Sequence, residues 1–66
     1  MAATVSDSRV ILAPEGVSAK TQLAVQTLYN WRNTGKGPRS FKLGRLVRYY
    51  ESDVDEWIAS QARASA

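Results

Sequence analysis

Gln26, Asn30 and Asn33 stand four and three residues apart, the spacing that brings side chains onto one face of an α-helix. Each ends in an amide with one donor side and one acceptor side, the pair that adenine N7 and N6 match in the major groove of DNA. A solvated helix surface is the plain alternative, because polar residues outside are the norm. Asparagine is a poor helix former, though, and an ordinary surface favours Glu, Lys or Gln. The face is therefore a candidate for reading base edges.

Around it lies a set of phosphate-holding candidates. Thr27 and Arg32 flank the amides, where hydroxyl and guanidinium groups fix register on a nucleic-acid backbone without reading sequence. Lys36 and Arg39 follow in a Gly-Lys-Gly-Pro-Arg connection, then Lys42, Arg45 and Arg48 in a segment of strand character. Arg45 falls at a turn, placed to enter a narrow minor groove or clamp a phosphate. Tyr29 has two readings: a ring at the core edge with its hydroxyl on a phosphate, or a half-buried aromatic.

The net charge of +3 and pI near 9.7 are modest, but the charge is segregated: Lys20, Arg32, Lys36, Arg39, Lys42, Arg45 and Arg48 follow one another with no acid between them, and Glu51, Asp53, Asp55 and Glu56 come after. A polyanion-binding face needs this separation; a solvated basic surface would also permit it. Neutralising about five phosphates would give a log–log salt slope of roughly −4 to −5.

Other chemistries find little support. With neither Cys nor His in 66 residues, the commonest general base and the strongest nucleophile are missing, so an enzyme is not expected. A disulfide framework and a zinc staple are not expected either, nor is a cofactor or a small-molecule ligand, and a reducing compartment suits the chain. No apolar run nears the ~20 residues that span a bilayer, and the start MAATVSDSRV has no long apolar region. A cytoplasmic protein without membrane contact is expected. Asp53, Asp55 and Glu56 could be imagined on magnesium, but at a helix N-terminus they are more simply partners of the macrodipole.

These residues need elements to position them. Residues 1–8 read as a flexible arm, Arg9 to Leu12 as a short strand, and Pro14 to Thr21 as a helix with proline in its first turn and Val17 inward. The segment AVQTLYNWRNTG is the strongest helix: Ala24, Leu28 and Trp31 form an inward stripe and Gly35 a C-terminal stop. SFKLGRLVRYY reads as a hairpin. Pairing Leu43 with Val47 and Phe41 with Tyr49 through a three-residue Gly44-Arg45-Leu46 loop gathers the apolar residues on one face and sets Lys42 opposite Arg48. Two like charges so placed call for an anion above them. SDVDEWIASQAR reads as a final helix with Ser52 as N-cap and Val54, Trp57 and Ile58 inward. The domain then spans 9–61, with 62–66 as a flexible tail.

Two short helices, a hairpin with a basic tip and a closing helix make an α+β winged helix-turn-helix, whose second helix enters the major groove. Single-strand binding by base stacking is disfavoured, because Trp31 and Trp57 fall in inward stripes. The pieces TLYNWR, GKGP, KLGRLVRY and DVDEWI, in this order between Leu12 and Ile58, resemble the winged-helix excisionase and AlpA-like family, relatives of the DNA-binding domain of MerR-type regulators. The resemblance implies a small phage recombination directionality factor. Such a protein binds several sites beside an attachment site on double-stranded DNA, bends the DNA, and helps a tyrosine integrase excise a prophage in the bacterial cytoplasm, with neighbouring copies on the DNA as further partners. A minimal transcriptional regulator and a protein-interaction module are the competing readings. The turn departs from the family: Thr21-Gln22-Leu23-Ala24 stands where Leu-Gly-Val-Ser is usual, lacking the glycine and the capping hydroxyl.

Overall fold

A computed structural model describes residues 9–65, so the expected arm at 1–8 and Ala66 lie outside the described residues. The elements follow as β1 (Ile11–Leu12), α1 (Pro14–Thr21), α2 (Val25–Asn33), β2 (Phe41–Leu43), β3 (Leu46–Tyr50) and α3 (Glu51–Ser65). Three helices and one small antiparallel sheet, ordered β1-β3-β2, make the α+β winged helix-turn-helix architecture. No helix among the described residues is long and apolar enough to cross a membrane.

Pro14 opens α1, where a missing N–H costs nothing. The helix ends on Gln22, which takes the left-handed conformation (φ 64°, ψ 22°) and donates its backbone N–H to Ser18 O at 2.8 Å. Glutamine thus does what glycine does more easily at this corner. Ala24 starts α2 in an extended conformation with no side-chain cap, as its methyl group dictates. The far end of α2 is well closed. Gly35 (φ 77°) lets Lys36 N–H reach Trp31 O at 2.7 Å and Gly35 N–H reach Arg32 O at 3.4 Å, the paired bonds of a Schellman stop.

The core takes one residue from each helix and one from the central strand: Val17, Leu28, Val54 and Tyr49 are all essentially inaccessible, with Leu12, Leu23, Val47 and Ile58 packed around them. Trp31 does not join this core. It is half-buried, its ring centroid 5.9 Å from that of Trp57 at a 57° tilt, and its Cβ and Cε3 crowd the space beside Gly37. Ala24 is exposed, so the inward stripe of α2 narrows to Leu28 with Trp31 at its margin.

The wing adopts a different register from the one expected. Phe41 pairs with Arg48, Lys42 with Val47 and Leu43 with Leu46, which leaves a two-residue turn, Gly44-Arg45. Gly44 has φ 67° while Arg45 is not among the positive-φ residues, the type II′ pattern whose twist matches that of paired strands. The local turn geometry outweighs the tendency to gather all apolar residues on one side. Val47 and Tyr49 face the core; Phe41, Leu43, Leu46, Arg48 and Tyr50 face away from it. Phe41 is covered by stacking on Tyr50, with centroids 4.6 Å apart and planes 27° apart, while the Arg9 guanidinium lies 3.8 Å from the Tyr50 centroid.

β1 completes the sheet through Ile11–Tyr50 and Leu12–Tyr49. Its approach also explains the start of α3. Glu51 follows β3 with no loop, and its backbone N–H donates to Val10 O at 2.8 Å, so Ser52 lies within the first turn instead of capping it. The acids there bind different cations: Arg9 lies 3.7 Å from Asp53, Lys20 lies 3.3 Å from Glu51 and 3.0 Å from Asp55, and Arg63 lies 3.3 Å from Glu56. No cluster fit for a metal ion occurs among the described residues. Residues 62–65, expected as a tail, continue the helix to Ser65.

Candidate nucleic-acid interface

Burial of Leu28 turns the opposite face of α2 outward, and Gln26, Asn30 and Asn33 are all exposed on it. Gln26 Nε2 donates to Asn30 Oδ1 at 3.3 Å, the one-turn spacing at which helix side chains meet. This bond aligns two amides while leaving Gln26 Oε1 as acceptor and Asn30 Nδ2 as donor. An adenine edge requires one acceptor and one donor. Tyr29 lies next to them and is 39 % exposed, whereas Thr27 is half-buried.

Arg32 is also half-buried, and its Nε–H donates to Ser40 Oγ at 3.2 Å. That bond ties the last turn of α2 to the residue before β2, leaving the two terminal nitrogens of the guanidinium for an anion. Arg32, Lys36, Arg39 and Ser40 line a concavity of about 400 Å³ formed over the Gly35–Ser40 connection. Lys36 and Arg39 are exposed. Sequence reasoning missed Ser40, which belongs to no local motif; its only sign was a hydroxyl just ahead of a strand.

The corrected wing register changes the role of two cations. Lys42 stands opposite Val47 on the core-side face, and Arg48 stands opposite Phe41 on the other, donating from Nη1 to Val47 O at 2.7 Å. They do not face each other, so no anion is needed above them. Lys42 is exposed, Arg48 half-buried, and Arg45 exposed at the turn between the strands.

Electrostatically the cations divide into two groups. Lys20 is held by α3: the hydrogen bonds it donates to Asp55 and then Glu51 raise its ammonium above the ordinary value of 10.5. Among the described residues, Arg32, Lys36, Arg39, Lys42, Arg45 and Arg48 form no ion pair with an acid. The described acids therefore do not neutralise the positive field of α2, its connection and the wing. Beneath it, burial raises the Tyr49 phenol above its ordinary 10.0; the nearby Arg32 charge opposes the rise and Tyr29 adds to it.

A family model described as a helix-turn-helix domain matches residues 14–62, from the first residue of α1 into α3. No curated protein matches the chain.

Proposed function

Because the chain belongs to the helix-turn-helix domain family and is therefore a DNA-binding protein, we propose that α2 reads the major groove while the wing anchors the flanking backbone. The observation that carries this is the exposed Gln26–Asn30–Asn33 face beside six cations that have no acid partner among the described residues. Gln26 and Asn30 present the reading edge, Asn33 extends it toward the helix end, and Thr27 and Tyr29 flank it. Arg32, Lys36, Arg39, Lys42, Arg45 and Arg48 hold phosphates.

Within that activity the protein is an accessory factor of the excisionase type. It binds and bends attachment-site DNA, directs a tyrosine integrase toward excision, and acts by binding alone. The order and spacing of TLYNWR, GKGP, KLGRLVRY and DVDEWI support this reading.

Two measurements test it. Gel shifts on selected and random duplexes near physiological salt should show at least about a tenfold preference, or 1.4 kcal/mol, for the selected sequence. Excision and integration by an integrase encoded beside the protein should shift toward excision when the protein is added. Indifference of both reactions, with altered transcription from a bound promoter, would replace the excisionase role with that of a regulator.

A further inference from the structure

Leu43 and Leu46 form the last cross-strand pair of the wing, directly opposite each other across the Gly44-Arg45 turn. They are 53 % and 55 % exposed, among the most exposed large apolar side chains described. An exposed leucine by itself means little. Two of them side by side at a hairpin tip, with a guanidinium between them in the chain, make an apolar surface with a cationic point.

We infer that this tip is a wedge that opens the minor groove of duplex DNA. The inference rests on the reading of α2 and the wing as the duplex-binding surface. Charge selects the occupant: from Thr21 to Tyr50 the chain holds no acid, and the charged residues of the wing and its approach are Arg39, Lys42, Arg45 and Arg48. A purely cationic ribbon with an apolar tip suits a target with anionic walls and an apolar floor. The minor groove, with phosphates at its rim and sugar and base-edge carbons within, has that composition.

Width supplies the mechanical consequence. Paired strands lie ~4.8 Å apart before side chains are added, and the minor groove is only about 6 Å wide. Arg45 alone can enter an unopened groove. Leu43 and Leu46 together cannot, so the groove must widen, and an apolar pair entering it does so by parting a base step and kinking the duplex toward its major groove by roughly 20–90°. Pyrimidine–purine steps part most easily. The wedge thus adds a sequence preference at a position where no hydrogen bond reads a base.

The test uses the full chain and a duplex of about 30 base pairs enriched from a random pool by the wild-type protein, labelled at both ends for energy transfer. Wild type should shorten the end-to-end distance. L43T/L46T keeps strand propensity and should bind within about threefold of wild type, with an unchanged salt slope and the bend lost. L46F should retain or increase the bend. Replacing a pyrimidine–purine step at the wing position by a stiffer step should weaken wild type but not L43T/L46T. A bend equal to wild type in L43T/L46T would overturn the wedge alone, and wild-type binding without a bend would overturn the wedge together with the bending assigned to the protein above, leaving the DNA reading itself in place. Failure of the wild type to enrich any duplex would overturn the DNA reading and the wedge together.

Discussion

Arg32 and Ser40 are joined by a 3.2 Å hydrogen bond from guanidinium Nε to hydroxyl, which ties the end of α2 to the entry of the wing. An untethered arginine would spend rotamer entropy on reaching a phosphate; this one has already lost part of it. Ser40→Ala should leave the fold intact and weaken all duplexes by about threefold, well short of the loss from Arg32→Ala. Titrations of both variants on selected and random DNA would separate positioning from direct contact.

Asn30→Ala should reduce discrimination between selected and random sites by about 1–3 kcal/mol, since it removes one half of the donor–acceptor pair that Asn30 forms with Gln26. Arg45→Ala should weaken all duplexes about equally and flatten the salt slope by about one. Salt-dependent binding curves for the two variants should therefore differ in kind. Identical behaviour would dissolve the division between reading and anchoring residues.

Gln22 carries a left-handed backbone without being glycine. Its conformation costs about 1 kcal/mol or more, part of which glycine would return in unfolded-state entropy. Gln22→Gly should raise stability by about 0.5–1 kcal/mol, read as a higher midpoint in thermal melting. A lower midpoint would show that the hydrogen bond from the Gln22 side chain to Ala19 O, 3.3 Å, matters more than the backbone conformation.

Trp31 lies at the margin of the core, against Trp57 and Gly37. Its truncation to alanine should cost about 2 kcal/mol, less than the ~3–5 kcal/mol of a fully buried tryptophan. Denaturant unfolding would show a folded but weakened domain.

Alkaline conditions should destabilise the protein. Lys20 and Tyr49 both have raised values in the fold, so each binds its proton more tightly folded than unfolded. The stability they contribute is complete below their ordinary values near 10 and is lost as pH rises through the raised ones. The melting midpoint should fall above about pH 10, and less steeply in Tyr49→Phe or Lys20→Gln.

The helices were legible because their signals are local: Pro14 at an N-terminus, Gly35 at a stop, and a stripe centred on Leu28. The exposed amide face followed from the same periodicity. The wing register was not legible. Apolar residues occupy both faces of β2 and β3, so a rule that sends them all inward selects the wrong loop, and the turn preference of Gly44 had to arbitrate. Ser52 misled for a related reason. It fits a capping pattern, but the backbone N–H of Glu51 is satisfied by Val10 O, forty-one residues away in sequence. The contact between Arg32 and Ser40 likewise joins two elements, and spacing along the chain does not announce it.

The junction at Tyr50 and Glu51 has a mechanical meaning. β3 becomes α3 without an intervening residue; β1 pairs with Tyr49 and Tyr50 before the change, and Val10, just ahead of β1, accepts from Glu51 after it. On its β3 side the wing is thus a cantilever set directly into the body of the domain. If its tip enters a groove narrower than itself, as proposed, a root held in this way passes the load to the DNA.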